Sequence, residues 1–129
     1  MVATVGSIAE QGLVRQWQEL LARHAMVSGA LECALQEKHG IGVSEFEALE
    51  HLAHSDDKCR SADLTEAVHL SQSATSRLVA RLEREGYVQR AMCESDRRGI
   101  FVALTEAGHR RYLEAKPTHR RVLADTLGA

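Results

Sequence analysis

A single proline in 129 residues leaves little to interrupt helices, and an aromatic content of 4% leaves the core to aliphatic side chains. Cysteine is scarce too. Cys33, Cys59 and Cys93 are odd in number and far apart, so they read as free thiols of a reducing compartment and not as a disulfide framework. No stretch reaches the ~18 uncharged apolar residues of a membrane span. The first ten residues lack a basic segment followed by an apolar core, so no secretory signal is expected and the location implied is cytoplasmic. Gly-x-Ser-x-Gly, Walker and dinucleotide-binding patterns are missing, as are Cys-x-x-Cys and His-Glu-x-x-His. An enzyme is therefore not expected, nor a bound cofactor or metal. His51 and His54 stand i, i+3 on one helix, with His109 or His24 as partners for a metal, but scattered histidines are more often plain polar surface.

What is present is one domain's worth of chain with hydrophobic residues at 44% and charged residues at 26%, the average for a globular protein. The net charge of −2 conceals an asymmetry. Residues 1–70 hold 5 Lys/Arg against 11 Asp/Glu, whereas residues 71–129 hold 11 against 7. Such a division suits a protein whose C-terminal half meets phosphates and whose N-terminal half does not.

Helical periodicity dominates. Residues 10–38 form a long amphipathic helix on Leu13, Trp17, Leu20, Leu21, Val27, Leu31 and Leu35, ending at the glycines Gly40 and Gly42. Ser44 and Glu47 match a capping box that opens a helix carrying Phe46, Leu49, Leu52 and Ala53 on its apolar face. Ser55-Asp56-Asp57 closes it. Ser61 is positioned to cap a short helix through Val68, and Ser71 a second one running to about Glu85, stopped by Gly86. Two short helices joined by a tight turn make a helix-turn-helix unit.

At 100° per residue, Ala74, Leu78 and Leu82 fall within about 80° on the second of those helices and should face inward. Gln72, Ser73, Ser76, Arg77, Ala80 and Arg84 face outward, without an acid in the first two turns, where acids normally favour the helix dipole. Residues 87–90 and 100–104 read as paired strands around a loop, 91–99, that bears Glu94, Asp96, Arg97 and Arg98. An Arg-tipped hairpin straight after such a helix is a wing, and residues 58–60 are a candidate third strand. Thr105 caps a last helix rich in arginine, in which Pro117 should produce a kink or an end. The fold expected is mainly α with a small β-hairpin wing.

The run "LSQSATSRLVARLEREGYVQR" (residues 70–90), then "DRRG" (96–99), then "LTEAG" (104–108) resembles the MarR family of bacterial regulators, in family order and spacing, and the likeness extends over roughly residues 10–125. It implies a winged helix-turn-helix with N- and C-terminal dimerisation helices (10–40 and 105–129) flanking a winged-helix DNA-binding lobe (44–104). It further implies a homodimer on a pseudo-palindromic double-stranded operator, most often a repressor released by a small-molecule, metal or oxidant signal. Family members continue into a further C-terminal helix; this sequence ends at Leu127-Gly128-Ala129.

Major-groove reading needs short side chains and hydrogen-bonding groups near a helix N-terminus, which Ser71, Gln72, Ser73, Ser76 and Arg77 supply at positions matching the family's DNA contacts. Gln72 suits adenine and Arg77 a guanine or a phosphate; Ser71 divides between cap and phosphate contact. In the wing, Asp96 orients the loop, Arg98 enters the minor groove and Arg97 touches phosphate, the two arginines being interchangeable at this level. Arg81 is expected to brace the wing.

An effector cleft between the dimer helices and the lobe would use Trp17, Leu21, Phe46, Leu49 and Tyr112, with Trp17 and Phe46 stacking on an aromatic or phenolic ligand; the competing reading makes them ordinary core. Cys33 reads as a packed small hydrophobe. Cys93, beside Glu94 and Asp96, reads as a sluggish thiol, which leaves little for a redox sensor. The rival functions are a thiol- or metal-responsive regulator and a winged-helix module that binds protein. The last would need exposed apolar anchors on residues 72–84, where Ser, Gln and Arg stand instead.

Overall fold

The computed structural model describes residues 2–92 and 100–128. Five helices and three short strands follow in the order α1 (Val2–His39), α2 (Val43–Ala53), β1 (Lys58–Arg60), α3 (Ser61–Val68), α4 (Gln72–Arg84), β2 (Val88–Met92), β3 (Ile100–Leu104) and α5 (Glu106–Leu127). Cys93 and the wing-tip residues Asp96, Arg97 and Arg98 lie outside the described residues.

The strands form one antiparallel sheet in the order β1-β3-β2. Val88 pairs with Leu104 and Met92 with Ile100, while Cys59 on the far edge pairs with Val102. The third strand read at residues 58–60 is thus real, and it pins the base of the hairpin to the lobe. Two successive left-handed residues, Asp56 and Asp57, make the turn that delivers it. The Asp57 amide donates to the Leu52 carbonyl at 2.8 Å, and its own carbonyl accepts from the Leu104 amide at 2.7 Å.

Leu35, Phe46, Leu49, Leu52, Leu64, Leu78, Leu82, Val88, Val102, Tyr112 and Ala115 make one core, so the last turns of α1, all of α2 to α4, the sheet and the middle of α5 fold around a single apolar centre. The N-terminal half of α1 stands outside it. The stripe that buries Val27, Leu31 and Leu35 continues upstream through Leu13, Trp17, Leu20 and Leu21, which are exposed by 47–66%. Among the described residues no helix is long and apolar enough to cross a membrane.

Three boundary expectations need correction. α2 opens on Gly42 and not on Ser44: the Glu45 carboxylate accepts from the Gly42 amide (3.4 Å) and Glu32 of α1 accepts from the Val43 amide (3.0 Å), so acids serve the free amides that a serine was expected to serve. α3 begins at Ser61 itself, with Arg60 as its N-cap. α5 runs unbroken through Pro117, which does not end it.

A candidate nucleic-acid interface

His69, in left-handed conformation, reverses the chain between α3 and α4. Ser71 then starts α4: its Oγ accepts from the Ala74 amide at 3.1 Å, and its carbonyl accepts from the Thr75 hydroxyl at 2.9 Å. The inward face of α4 consists of Thr75, Leu78, Val79 and Leu82. It is rotated from the predicted one, since Thr75 and Val79 are buried while Ala74 and Ala80 are only half-buried. The polar Thr75 is accommodated because its hydroxyl finds a backbone acceptor one turn back.

Apart from Ala80, the residues read as outward are exposed. Ser71, Gln72, Ser73, Ser76 and Arg77 are all exposed, and no acid stands in the first turn of α4. Ser71 and Ser73 hydroxyls lie 3.3 Å apart, so the cap and its neighbour present one hydroxyl pair at the helix start, where free amides already favour an anion. Acids appear only at the far end, at Glu83 and Glu85.

Among the described residues Arg81 meets α2 and not the strands of the hairpin. Its Nε lies 3.9 Å from the Glu45 carboxylate, at the opening of α2. Burial raises the Glu45 pKa, which the Gly42 hydrogen bond and the Arg81 charge partly offset. Among the described residues the tie between β2 and α4 is made by Arg90, which sequence reasoning missed. Its guanidinium donates to the Ser76 carbonyl in the middle of α4 (3.2 Å) and lies 3.8 Å from Glu83, whose carboxylate also accepts from the Arg90 amide (3.3 Å). Arg90 therefore ties the base of the hairpin to the outward helix. Lys58 and Arg60, on β1, sit 5.2 and 5.8 Å from the Phe101 ring centroid and add two cations to the sheet surface. Strand alternation over residues 58–60 was the available signal for them.

The five proposed effector residues do not come together within one chain. Phe46 and Leu49 are 0% and Tyr112 3% exposed, sealed in the core, whereas Trp17 and Leu21 are 60% and 47% exposed on the bare half of α1. What does open on the surface near Phe46 is a groove of about 350 Å³ lined by Glu47, Glu50, His51, His54, His69 and His119. Among the described residues no group of three or more His, Cys, Asp and Glu side chains is arranged to hold a metal ion.

His119 stacks on Phe46 with centroids 4.4 Å apart, and its Nδ1 accepts from Arg120 at 2.7 Å. Arg120 also donates to Glu50 at 2.6 Å. Burial, and then the neighbouring guanidinium, push the His119 pKa down, Glu50 opposing. Burial raises the Glu50 carboxyl, but its hydrogen bond to Arg120 and the charge behind it win and leave it below the ordinary value. A histidine held neutral in the fold stabilises above the unfolded imidazole pKa of about 6.5, and that stability is lost as pH falls through the lowered folded value. Glu50 adds a separate loss further down, below about 4.5. Urea unfolding between pH 7.5 and 5 should therefore show stability declining with acidification, and His119→Gln should flatten the decline in that window. An unaltered slope in the variant would remove His119 as its source.

Cys33 is exposed on α1, contrary to the packed position expected of it, because its helical position falls off the stripe of Val27, Leu31 and Leu35. Cys59 is buried in β1, and burial followed by the charge of Asp63 pushes its thiol up to about 11, leaving little thiolate at neutral pH.

A family model described as the MarR family matches residues 39–99. The HTH-type transcriptional regulator YwhA of Bacillus subtilis is 30% identical over 88 residues, 68% of this chain and 62% of that protein, so the chain spans less than two thirds of this curated relative. Two solved structures from Streptomyces coelicolor superpose closely. The MarR family transcriptional regulator AbsC does so with a TM-score of 0.80 and 32% identity, over 86% of this chain and 75% of its own. The MarR family regulator Sco3205, solved in complex with DNA, gives 0.81 and 30%, over 92% and 73%. With the capped outward helix, the three-stranded wing base and these likenesses together, the chain belongs to the MarR family of transcriptional regulators.

Proposed function

We propose that this protein is a cytoplasmic, dimeric, sequence-specific regulator that binds double-stranded DNA and acts as a repressor released by a small effector. The observation that carries the reading is the division of α4: Thr75, Leu78, Val79 and Leu82 satisfy the core, so Gln72, Ser73, Ser76 and Arg77 are left with no folding task. A helix presenting hydroxyls, an amide and a guanidinium from its first two turns has the chemistry of a major-groove reader. The Asp96-Arg97-Arg98 tip, carried by β2 and β3, takes the neighbouring minor groove, with Arg98 inserted and Arg97 on phosphate. The exposed stripe of α1 supplies the dimer contact, a second copy covering Leu13, Trp17, Leu20 and Leu21. In this reading the single domain divides into dimerisation helices and a winged lobe, and an aromatic or phenolic effector enters between them, where Trp17 and Leu21 approach a partner's surface.

Selection of bound duplexes from a random pool tests it, since a dimer of this kind returns a site with two-fold symmetry. On the selected duplex, Arg98→Ala should weaken binding by about 1–3 kcal/mol and reduce the salt slope by about one. Unchanged affinity would remove the hairpin from the interface. Recovery of no sequence preference at all would remove the whole reading.

A further inference from the structure

Where α4 ends, the chain is held from three directions. Gly86, at a φ of 82°, stops the helix, and the Tyr87 amide closes it by donating to the Leu82 carbonyl at 2.9 Å. The first turns of α5 then clamp this corner. The Thr105 hydroxyl donates to the Gly86 carbonyl (2.6 Å), and the Thr105 amide donates to the Tyr87 carbonyl (3.0 Å). Gly108 lies so close that a Cβ there would stand 2.1 Å from the same carbonyl oxygen. One turn further along α5, Arg111 completes the corner. Its Nε donates to the Tyr87 hydroxyl (3.0 Å), its guanidinium carbon lies 5.4 Å from the Tyr87 ring centroid, and its NH1 donates to the carbonyl of His39, the last residue of α1 (3.1 Å).

Arg111 is thus bonded at once to α1, through a helix-terminal carbonyl that has no partner within the helix, and to the residue that ends α4. A planar guanidinium fixes the direction of each bond it donates, so the pair of contacts constrains an angle as well as a distance. We propose that Arg111 is a positioning residue for DNA recognition: it sets the direction in which α4 projects from the α1/α5 pair, and hence the separation of the two α4 helices in a dimer. This rests on the functional reading above. It adds that the operator's half-site spacing is specified at a residue that need not touch DNA.

The experiment measures affinity for a series of duplexes whose two half-sites are moved together or apart by single base pairs, and for a duplex with one half-site. One base pair shifts a half-site by about 3.4 Å and turns it by roughly 35°. The wild-type protein should discriminate sharply between the preferred spacing and its neighbours. Arg111→Gln, and independently Tyr87→Phe, which keeps the ring and its packing, should reduce that discrimination by about threefold to thirtyfold and leave half-site affinity unchanged. Arg111→Lys should behave as Arg111→Gln does, because one ammonium cannot replace two directed donors. A purely structural role would lower thermal stability and weaken all duplexes alike. If the two variants keep the wild-type spacing profile, or weaken every duplex in proportion, the inference is overturned; if Arg111→Gln does not fold, Tyr87→Phe decides by the same criteria. A wild-type protein with no spacing preference overturns the dimeric reading on which it rests.

Discussion

Ser76→Glu is expected to weaken specific DNA binding by roughly a hundredfold without measurable loss of fold. Ser76 lies in the second turn of α4, exposed, on the face shared with Gln72, Ser73 and Arg77. A carboxylate there would approach phosphate to about 5 Å, where two like charges at an effective dielectric of ~20 repel by about 3 kcal/mol, roughly a hundredfold in affinity. The same substitution touches no core residue and suits a helix, so stability should stay within about 0.5 kcal/mol. Fluorescence anisotropy on a labelled operator measures the first quantity and thermal unfolding the second. Ser76→Ala, which removes a hydroxyl but adds no charge, should cost far less than the glutamate. Binding by Ser76→Glu at wild-type strength would mean that α4 does not enter a groove.

The second large effect is on stability. Phe46→Ala should destabilise by about 3–5 kcal/mol, a substantial share of the ~5–15 kcal/mol that holds a domain of this kind together. Phe46 is fully buried, stacked on His119 at 4.4 Å and tilted against Tyr112 at 5.6 Å, so it joins α2 to α5 through two rings at once. Truncation leaves a cavity between α2 and α5, the two helices that Arg120 and Glu50 also bridge at 2.6 Å. Urea denaturation gives the value. It also discriminates between the two readings open from the sequence, since a side chain lining a ligand cavity can be shortened at little cost and a core ring cannot. A loss below about 1 kcal/mol would return Phe46 to the cavity wall.

The elements were legible wherever one local signal acted alone. Ser71, Thr105 and Gly86 cap or stop helices because a side-chain oxygen or a missing Cβ suffices for the task, and each does what its type suggested. Reading failed where a residue's role was set by a distant partner. Ser44 and Glu47 have the spacing of a capping box, but Glu45 stands in an equivalent relation to Gly42, and Glu32 from another helix takes the Val43 amide. Nothing local distinguishes the two registers.

The face of α4 was misplaced by Thr75, a polar type that tertiary packing buries once its hydroxyl bonds the backbone. For the outward residues the pattern was sufficient, since exposure follows from not being needed inside. For Arg81 and Arg90 it was not: Arg81 turns from α4 towards Glu45 of α2, and it is Arg90, on β2, that reaches back to the Ser76 carbonyl and Glu83, a pairing no local pattern announces. The proposed effector set is divided within one chain for the same reason, having gathered residues from α1, α2 and α5 on apolar character alone. Leu49 and Tyr112 close the lobe's own centre, whereas Trp17 projects beyond it.

The bare half of α1 makes solitude costly. A stripe of leucines and a tryptophan left in water contributes nothing to the native state until another surface removes it from solvent. Once a second chain does so, folding becomes linked to association by mass action, and dilution draws on the stability of every copy. The abundance of such a protein then governs how much of it is native as well as how much of it is bound.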